Sequence, residues 1–277
     1  MLPKSKKMYE QAEMLGHMVA GCVFFPGTFY LLLAGVGKIC PTMSKADLYL
    51  LCNSAVSSLQ AIISCCVGSI VVANCYKDIL YARHWLTEAY TCFGVVYFYY
   101  DIWSMYVVEC ARYPEQTTNG WLPLKFYLKR KGLMVFHHLA LPAIFFPIIM
   151  FFRKGIGDFF VASLFFIELS TPFVAMRAVL LRFQMENSLV YLLNGVFAIS
   201  AFFMCRIAIF PMLYAVYGDK YGLSTMQVPL AIPVKCNVGC ALILGFQIYW
   251  FAQMIRLLKS YSPKQNGKHH SPLEKEL

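Results

Sequence analysis

Residues 132–152 read GLMVFHHLALPAIFFPIIMFF, a nearly unbroken apolar run. A helix rises about 1.5 Å per residue, so this run is long enough to cross the roughly 30 Å hydrocarbon core of a bilayer. Two adjacent histidines, His137 and His138, interrupt it. A polar ring in hydrocarbon has lost its water and needs a partner, so ionisable residues there face a bundle interior or a cavity. The pair therefore predicts a site inside a membrane-embedded helix bundle.

The composition of the whole chain is that of an integral membrane protein. Of its 277 residues, 59% are hydrophobic and 14% are charged, whereas an ordinary soluble domain is roughly 25% charged. Seven apolar runs reach the length of a spanning helix. We predict spans at residues 18–37, 48–73, 90–111, 132–152, 156–176, 189–217 and 228–257. The predicted fold class is all-α, a polytopic bundle of about seven transmembrane helices.

The ends of the chain differ in character from these runs. We predict an N-terminal polar segment at 1–17, a first transmembrane helix at 18–39, a domain with six further transmembrane helices at 40–260, and a disordered polar tail at 261–277. The first run follows a lysine cluster, as in a signal peptide, but it is longer than a typical signal core and lacks a convincing cleavage site. We expect it to be a retained helix.

The net charge of +10 is spread over many loops. No soluble module presents it, so nucleic acid is not an expected partner. With seven spans, fourteen basic residues fall on the face that holds the C-terminus and eight on the opposite face. The positive-inside rule then predicts a cytosolic C-terminus and a lumenal N-terminus, although Lys4, Lys6 and Lys7 oppose this orientation.

Position along each helix gives a predicted depth for the polar residues. With a helix that starts at residue 132, His137 and His138 lie about 8–9 Å from its cytosolic end. Glu168 lies roughly 12 Å from the cytosolic end of the next helix, and Asp101 lies near mid-membrane on the third. We expect these residues to be able to converge in the cytosolic half of the bundle.

Other polar residues in the spans carry weaker expectations. Asn194 lies about 8 Å from the cytosolic side, at a depth similar to that of the histidines. Arg206 lies near the midplane, where a charge is costly, so it should pair with an acid; a tie to Asp101 and a role in substrate binding are both open. Asp158 and Glu109 lie near helix ends, where we expect solvated or snorkelling side chains.

The chemistry of the histidine pair depends on its geometry. Adjacent helical positions point about 100° apart, so the two rings cannot aim at the same atom. One ring is suited to act as base or nucleophile while the other anchors a neighbour through a carboxylate, with Asp101 and Glu168 as candidates. A purely structural histidine–carboxylate contact is the alternative. No metal site is expected, because the pair has no histidine at i+4.

Several segments together resemble the TLC-domain family, the membrane fold of the ceramide synthases and of translocation-associated membrane proteins. They are YFYYD at 97–101, KGLM at 131–134 with the histidine pair, GDFF at 157–160, ELSTPF at 168–173, Asn194, Arg206 with FP at 210–211, and QIYWF at 247–251. The resemblance covers roughly residues 40–260. It is closest to the TLC domain-containing protein 3 group, whose B-type member is described as a ceramide synthase.

The resemblance implies a function and also departs from the synthase pattern. In ceramide synthases the double histidine opens a signature region that continues as His-Asp-x-x-Asp on the next helix. This chain has Leu164 and Phe165 at the first two of those positions, and only the last acid has a counterpart, Glu168. The implied activity is N-acylation of a sphingoid base by an acyl-CoA, in sphingolipid metabolism. The incomplete signature favours the alternative, a non-catalytic lipid-binding protein or regulator of membrane lipid composition.

Specific roles follow from the residues and the resemblance together. The expected catalytic residues are His137, His138, Asp101 and Glu168. The expected substrate-binding residues are Asn194, Arg206, Tyr97, Lys129, Arg130 and Lys131. The basic run is placed to bind the phosphates of acyl-CoA or, equally, anionic lipid headgroups. No cofactor is expected besides acyl-CoA as co-substrate. The expected partners are membrane lipids, acyl-CoA and a sphingoid base, and a homo-oligomer is open. The family points to the endoplasmic reticulum membrane, with the Golgi membrane as the alternative.

Overall fold

The computed structural model describes the backbone of residues 4–260 and the side chains of residues 11–256. The predicted tail at 261–277 and the start of the predicted N-terminal segment lie outside the described residues. Seven long helices make up most of the described chain. They are α1 (Lys4–Ile39), α2 (Lys45–Cys75), α3 (Trp85–Arg112), α4 (Leu124–Phe152), α5 (Asp158–Arg182), α6 (Leu189–Tyr221) and α7 (Val234–Ser260). No β-strand occurs between residues 4 and 260, so the predicted all-α class is confirmed.

Six of these helices are long and apolar enough to cross a membrane. They are α1 from Gln11 onward, α2, α4, α5, α6 and α7 up to Arg256. The remaining helix, α3, has 28 residues and is therefore about 42 Å long, but it is not among the six. It is the helix that carries Asp101 and Glu109. The chain is a multi-pass membrane protein, as predicted, with six candidate spans among the described residues where seven were predicted.

Helix starts are set by local capping. Ser44, His84 and Ser188 each accept a hydrogen bond from a backbone N–H in the first turn of α2, α3 and α6. Gly157 precedes α5 with φ of 79°, a left-handed conformation that glycine adopts without steric cost. Because polar first turns continue each helix beyond its apolar run, α3 and α4 begin five and eight residues before the predicted spans.

The helix α2 packs against three other helices of the bundle. It packs against α1 and α3 on one side and against α5 on the other. Two glycines allow close approach: a Cβ on Gly21 would lie 2.6 Å from the Phe93 carbonyl oxygen of α3, and one on Gly68 would lie 2.9 Å from that of Ala162 in α5. Helices in membranes associate through such close packing.

The other helices complete a ring. The helix α6 packs against α5, α7 packs against α6, and α4 packs against α3. Ring contacts of Phe136 with Phe246 and of His137 with Trp250 join α4 to α7. Large apolar side chains cover the outside of the bundle, as a lipid-facing surface requires. The helices from α2 to α7 therefore surround a common interior.

Candidate functional site

A cavity of about 290 Å³ lies in this interior. Every helix from α2 to α7 contributes to its wall, and no residue of α1 from Gln11 onward lines it. Its volume is close to the lower end of the roughly 300–1,000 Å³ typical of small-molecule sites. The wall is mainly apolar. Its polar residues are Gln60, Ser64, Tyr90, Thr91, His137, Glu168, Arg206 and Gln247.

His137 is the histidine that lines the cavity. Its ring meets Trp250 edge to face, with 4.6 Å between ring centroids, and lies 5.5 Å from the ring of His138. Between residues 11 and 256, neither ring nitrogen of His137 has a hydrogen-bond partner. Imidazole exchanges a proton near neutral pH in water, so an unbonded ring nitrogen at a cavity wall is suited to take a proton from a ligand.

His138 is tied to α3 and is absent from the lining of the cavity. Its Nδ1 lies 3.1 Å from Oδ2 of Asp101, although the two atoms are not aligned as a hydrogen bond. On the far side of this carboxylate, Asn53 of α2 donates from Nδ2 to Oδ1 at 3.4 Å. The Asn53 amide oxygen in turn accepts a hydrogen bond of 2.7 Å from Ser104. The two histidines thus face different surroundings, and Asp101 is the acid beside the pair.

Arg206 organises a second polar cluster in the cavity wall. Its guanidinium donates to Ser170 Oγ at 2.7 Å, to Thr171 Oγ1 at 2.9 Å and to Gln247 Oε1 at 3.3 Å. The nearest Glu168 oxygen lies 3.8 Å away, and Thr171 donates to that same oxygen at 2.8 Å. The acid that compensates Arg206 is therefore Glu168, so the suggested tie to Asp101 is wrong.

Irregular helical turns lie in two of the helices that form the cavity wall, α4 and α6. The helix α4 is π-helical at Leu141–Phe145 and Ile148–Phe152, and α6 is π-helical at Phe203–Ala208, the segment that carries Arg206. Both α4 segments contribute lining residues. Pro142 and Pro147 lack the N–H that a regular α-helix needs, which accounts for the loosened turns of α4. Such π-helical turns are frequent at functional sites.

Comparison with known proteins assigns this architecture. The profile of the TLC domain matches residues 51–256. The chain belongs to the TLC-domain family. Its TLC domain includes every residue of the cavity wall, whereas α1 lies before the matched region. The resemblance seen in the sequence is therefore confirmed at the level of the family, and the assignment to the TLC domain-containing protein 3 group stays a prediction.

The TLC domain is also similar to two curated relatives. They are TLC domain-containing protein 4-A of Xenopus laevis and TLC domain-containing protein 4 of Xenopus tropicalis. Each is 28% identical over 142 residues, which cover 50% of this chain and 54% of the relative. The chain thus spans about half the length of the curated relatives it matches. No solved structure gives a significant match.

The histidine pair lies further from the start of its helix than the apolar run predicts. The helix α4 begins at Leu124, thirteen residues before His137, which places the ring roughly 20 Å along the helix. The predicted depth of 8–9 Å from the cytosolic side assumed a helix start near Gly132 and stays a prediction. The pair lies near the middle of the 29-residue helix.

Glu109, expected to be solvated, is fully buried in the TLC domain at 0% exposure. Its carboxylate oxygens lie 2.9 Å from Arg130 Nε, 3.3 Å from Arg112 Nη1 and 4.0 Å from Lys131 Nζ. The guanidinium of Arg130 also stacks 4.4 Å over the ring of Tyr113. Because α4 begins early, its basic first turns reach the end of α3 and exclude water from the acid.

Asp158 was also expected to be solvated and is instead buried, at 1% exposure. It forms an ion pair with Arg153 and accepts a 2.8 Å hydrogen bond from the backbone N–H of His84. Arg153 further contacts Glu88 at 3.4 Å. The loops before α3 and before α5 thus close over this acid, an arrangement that apolar runs alone do not reveal.

The other predicted substrate-binding residues of the TLC domain lie away from the cavity wall. Tyr97 is buried in an aromatic cluster with Phe25 and Tyr100. Asn194 donates to the carbonyl oxygen of Phe173 at 2.9 Å and so joins α6 to α5. Lys129 is exposed near the start of α4. Of the six predicted substrate-binding residues, Arg206 alone lines the cavity.

Sequence reasoning missed several residues of the TLC-domain cavity. Three of them are uncharged: Gln60, Ser64 and Tyr90. The apolar pattern of α2 and α3 does not indicate whether these side chains face the interior of the bundle or the lipid. Gln247 lies in the QIYWF segment of the family resemblance, a signal that could have identified it. The part of the chain that the structure describes contains no group of three or more His, Cys, Asp or Glu residues placed to hold a metal ion.

Proposed function

We propose that this TLC-domain protein is an N-acyltransferase that joins the acyl group of an acyl-CoA to a sphingoid base within the membrane. The observation that carries the proposal is the unbonded imidazole of His137 in the wall of an apolar cavity, with Arg206 in the same wall. Membership of a family that includes ceramide synthases supports the reaction class.

The reaction requires a base and charge stabilisation. The amine nitrogen of the sphingoid base attacks the thioester carbon of the acyl-CoA. A C–N bond forms, the C–S bond breaks, and coenzyme A leaves with the sulfur atom. His137 accepts the proton of the attacking amine and returns it to the departing sulfur. The guanidinium of Arg206 stabilises the negative charge that develops on the carbonyl oxygen. No cofactor besides the acyl-CoA co-substrate takes part.

The remaining predicted catalytic residues act through these two. The contact of His138 with Asp101 holds the α4 helix against α3, which fixes the rotation that turns His137 towards the cavity. Glu168 and Thr171 hold the guanidinium of Arg206 in the wall. His138, Asp101 and Glu168 are therefore positioning residues in this mechanism.

The phosphates of coenzyme A have a basic surface available at the start of α4. Lys129 is exposed there, and Arg112, Arg130 and Lys131 surround the single acid Glu109, which leaves this group with excess positive charge. Anionic lipid headgroups fit the same surface. The proposal places this end of α4 in the cytosol with the C-terminus, in the endoplasmic reticulum membrane or, alternatively, the Golgi membrane.

Purified protein in lipid nanodiscs tests the activity directly. Incubation with an acyl-CoA and sphinganine should give a ceramide, measured by mass spectrometry. His137→Ala should lower the rate by roughly 10²–10⁴, the usual contribution of a general base. His17→Ala is the matched control, because His17 lies on α1 outside the cavity wall and should leave the rate unchanged.

Two outcomes would overturn the proposal. One is a wild-type protein that gives no product above that of a reaction without protein. The other is a His137→Ala variant as active as the wild type. The melting temperature of each variant shows whether it is folded, so loss of structure is not mistaken for loss of chemistry.

A second function has an observation of its own in its favour. Leu164 and Phe165 stand where the synthase signature carries His and Asp, and both line the cavity. They make this part of the wall apolar, as suits a non-catalytic protein that binds lipid or regulates lipid composition. A wild type that is stabilised by a sphingoid base but makes no product would support this second function.

A further inference from the structure

The cavity wall contains an amide that the proposed reaction does not use. Gln60 of α2 is 4% exposed, and its Nε2 donates to the hydroxyl of Tyr90 at 3.1 Å. Its Oε1 is buried and has no hydrogen-bond partner in the described part of the chain. Buried polar atoms are nearly always paired in proteins. An unpaired amide atom on a residue that lines a cavity indicates a polar group supplied by a ligand.

The polar side chains next to Gln60 make their contacts with other groups. Ser64, one turn further along α2, donates its hydroxyl to the Phe165 carbonyl oxygen at 3.1 Å. The ring of Tyr90 is fixed by an edge contact with Phe165, with 4.9 Å between centroids. The Tyr90 hydroxyl therefore anchors one side of the Gln60 amide, and no nearby side chain satisfies the other side.

The chemistry of an amide narrows the ligand group. Turning the amide over exchanges its oxygen and nitrogen but leaves one polar atom unpaired in either orientation. A hydroxyl both donates and accepts, so it satisfies either orientation. The volume of about 290 Å³ suits a small polar head with the first part of a chain rather than a whole long-chain lipid.

We propose that Gln60 binds a hydroxyl group on the head of the lipid in the cavity and makes the protein select hydroxylated amphiphiles. The inference rests on the proposed function in one respect, that the occupant is a sphingoid base, whose head carries hydroxyl groups beside its amine. Gln60 is then a specificity-determining residue, and His137 remains the base. A site built to bond a hydroxyl discriminates against analogues that lack it, because the protein group is left unpaired.

Binding without turnover tests this selection. Sphinganine and octadecylamine share an amine and a chain length but differ in hydroxyl groups. Their apparent dissociation constants follow from the concentration dependence of the melting temperature of the detergent-solubilised protein. The wild type should bind sphinganine about tenfold more tightly, as expected for one hydrogen bond. Gln60→Leu should bind the two amines alike.

A matched control is available on the outer helix α7. Among the described residues, Gln253 bonds only to its helix neighbours Tyr249 and Arg256, so Gln253→Leu should keep the tenfold preference. Tyr90→Phe gives a second variant that retains the ring and its packing. Loss of the anchoring hydroxyl frees the Gln60 amide, and the preference should fall severalfold.

The outcomes separate this inference from the proposed reaction. A wild type without preference, or a preference unchanged in Gln60→Leu and Tyr90→Phe, overturns the role of Gln60 even where ceramide is formed. A wild type that shows the preference, lost in Gln60→Leu, supports the role of Gln60 even where no ceramide is formed. That result would contradict the proposed acyl transfer and support the proposed hydroxyl-binding site.

Discussion

The buried polar group around Glu109 differs from the polar wall of the cavity in how completely its members are paired. Glu109 is surrounded by Arg112, Arg130 and Lys131 at the end of α3. In the cavity wall, Gln60 keeps a buried oxygen without a hydrogen-bond partner among the described residues, and the ring of His137 contacts aromatic rings. Both groups lie among helices of a membrane protein, where unpaired polar atoms are costly.

This difference distinguishes structure from function. A buried acid that is fully paired stabilises the helices that it joins and offers no unpaired atom to a ligand, although the cations around Glu109 still carry excess positive charge. A cavity wall with unpaired polar groups lowers the stability of the protein somewhat. A ligand with complementary groups forms the missing hydrogen bonds. Substitutions around Glu109 should therefore alter folding, and substitutions near the cavity should alter chemistry or binding.

The largest effect is expected at the paired group. Glu109→Leu removes the one acid among three cations and should lower the free energy of unfolding by about 3 kcal/mol. This is the lower end of the cost of breaking a buried ion pair, because the cations are partly exposed. Thermal unfolding in detergent measures it, with the exposed Glu115→Leu as control. Equal stability of the two variants would contradict the structural role of Glu109.

An intermediate effect is expected beside the histidines. Asp101→Asn preserves shape but removes the negative charge near His138, which should cost about 2 kcal/mol in the reaction, roughly thirtyfold in kcat. The KM for the sphingoid base should stay unchanged, because His138 is absent from the cavity lining. Steady-state kinetics separates the two constants, and the exposed Asp219→Asn serves as control. A change in stability with unaltered kcat would make Asp101 purely structural.

The smallest effect is expected at Asn194. Asn194→Ala removes its bond to the Phe173 carbonyl and should lower the free energy of unfolding by about 1 kcal/mol. Activity per folded molecule should not change, because Asn194 does not line the cavity. Chemical unfolding and the ceramide assay together measure this. A raised KM for either substrate would instead restore the substrate-binding role predicted from the sequence.

Most of the helical fold is predictable from the sequence, because long apolar runs must form helices in a membrane. The errors fall at helix starts. The start of α4 was placed eight residues late because 124–131 contains four basic residues and does not look like part of a span. Glu109 on a different helix compensates the charge of Arg130 and Lys131, and a local pattern carries no such information.

The site was predictable in residue type but less so in pairing. Two histidines in an apolar run point to a polar interior, and Asp101 does lie beside His138. Depth along a helix says nothing about the direction in which a side chain faces, so the pairing of Arg206 with Glu168 rather than Asp101 was not accessible. Gln60 was missed because its significance depends on the cavity and on an unpaired oxygen, which are both properties of the packed bundle.

The π-helical segment Phe203–Ala208 affects how related sequences should be aligned. A π-helical turn corresponds to one residue inserted into an α-helix. Deletion of a single residue there would restore the regular helix and rotate one half of α6 against the other by about 100°. The residue facing the cavity would then no longer be Arg206. In a comparison of TLC domains, a one-residue gap at this place would mark a changed polar wall rather than a shorter loop.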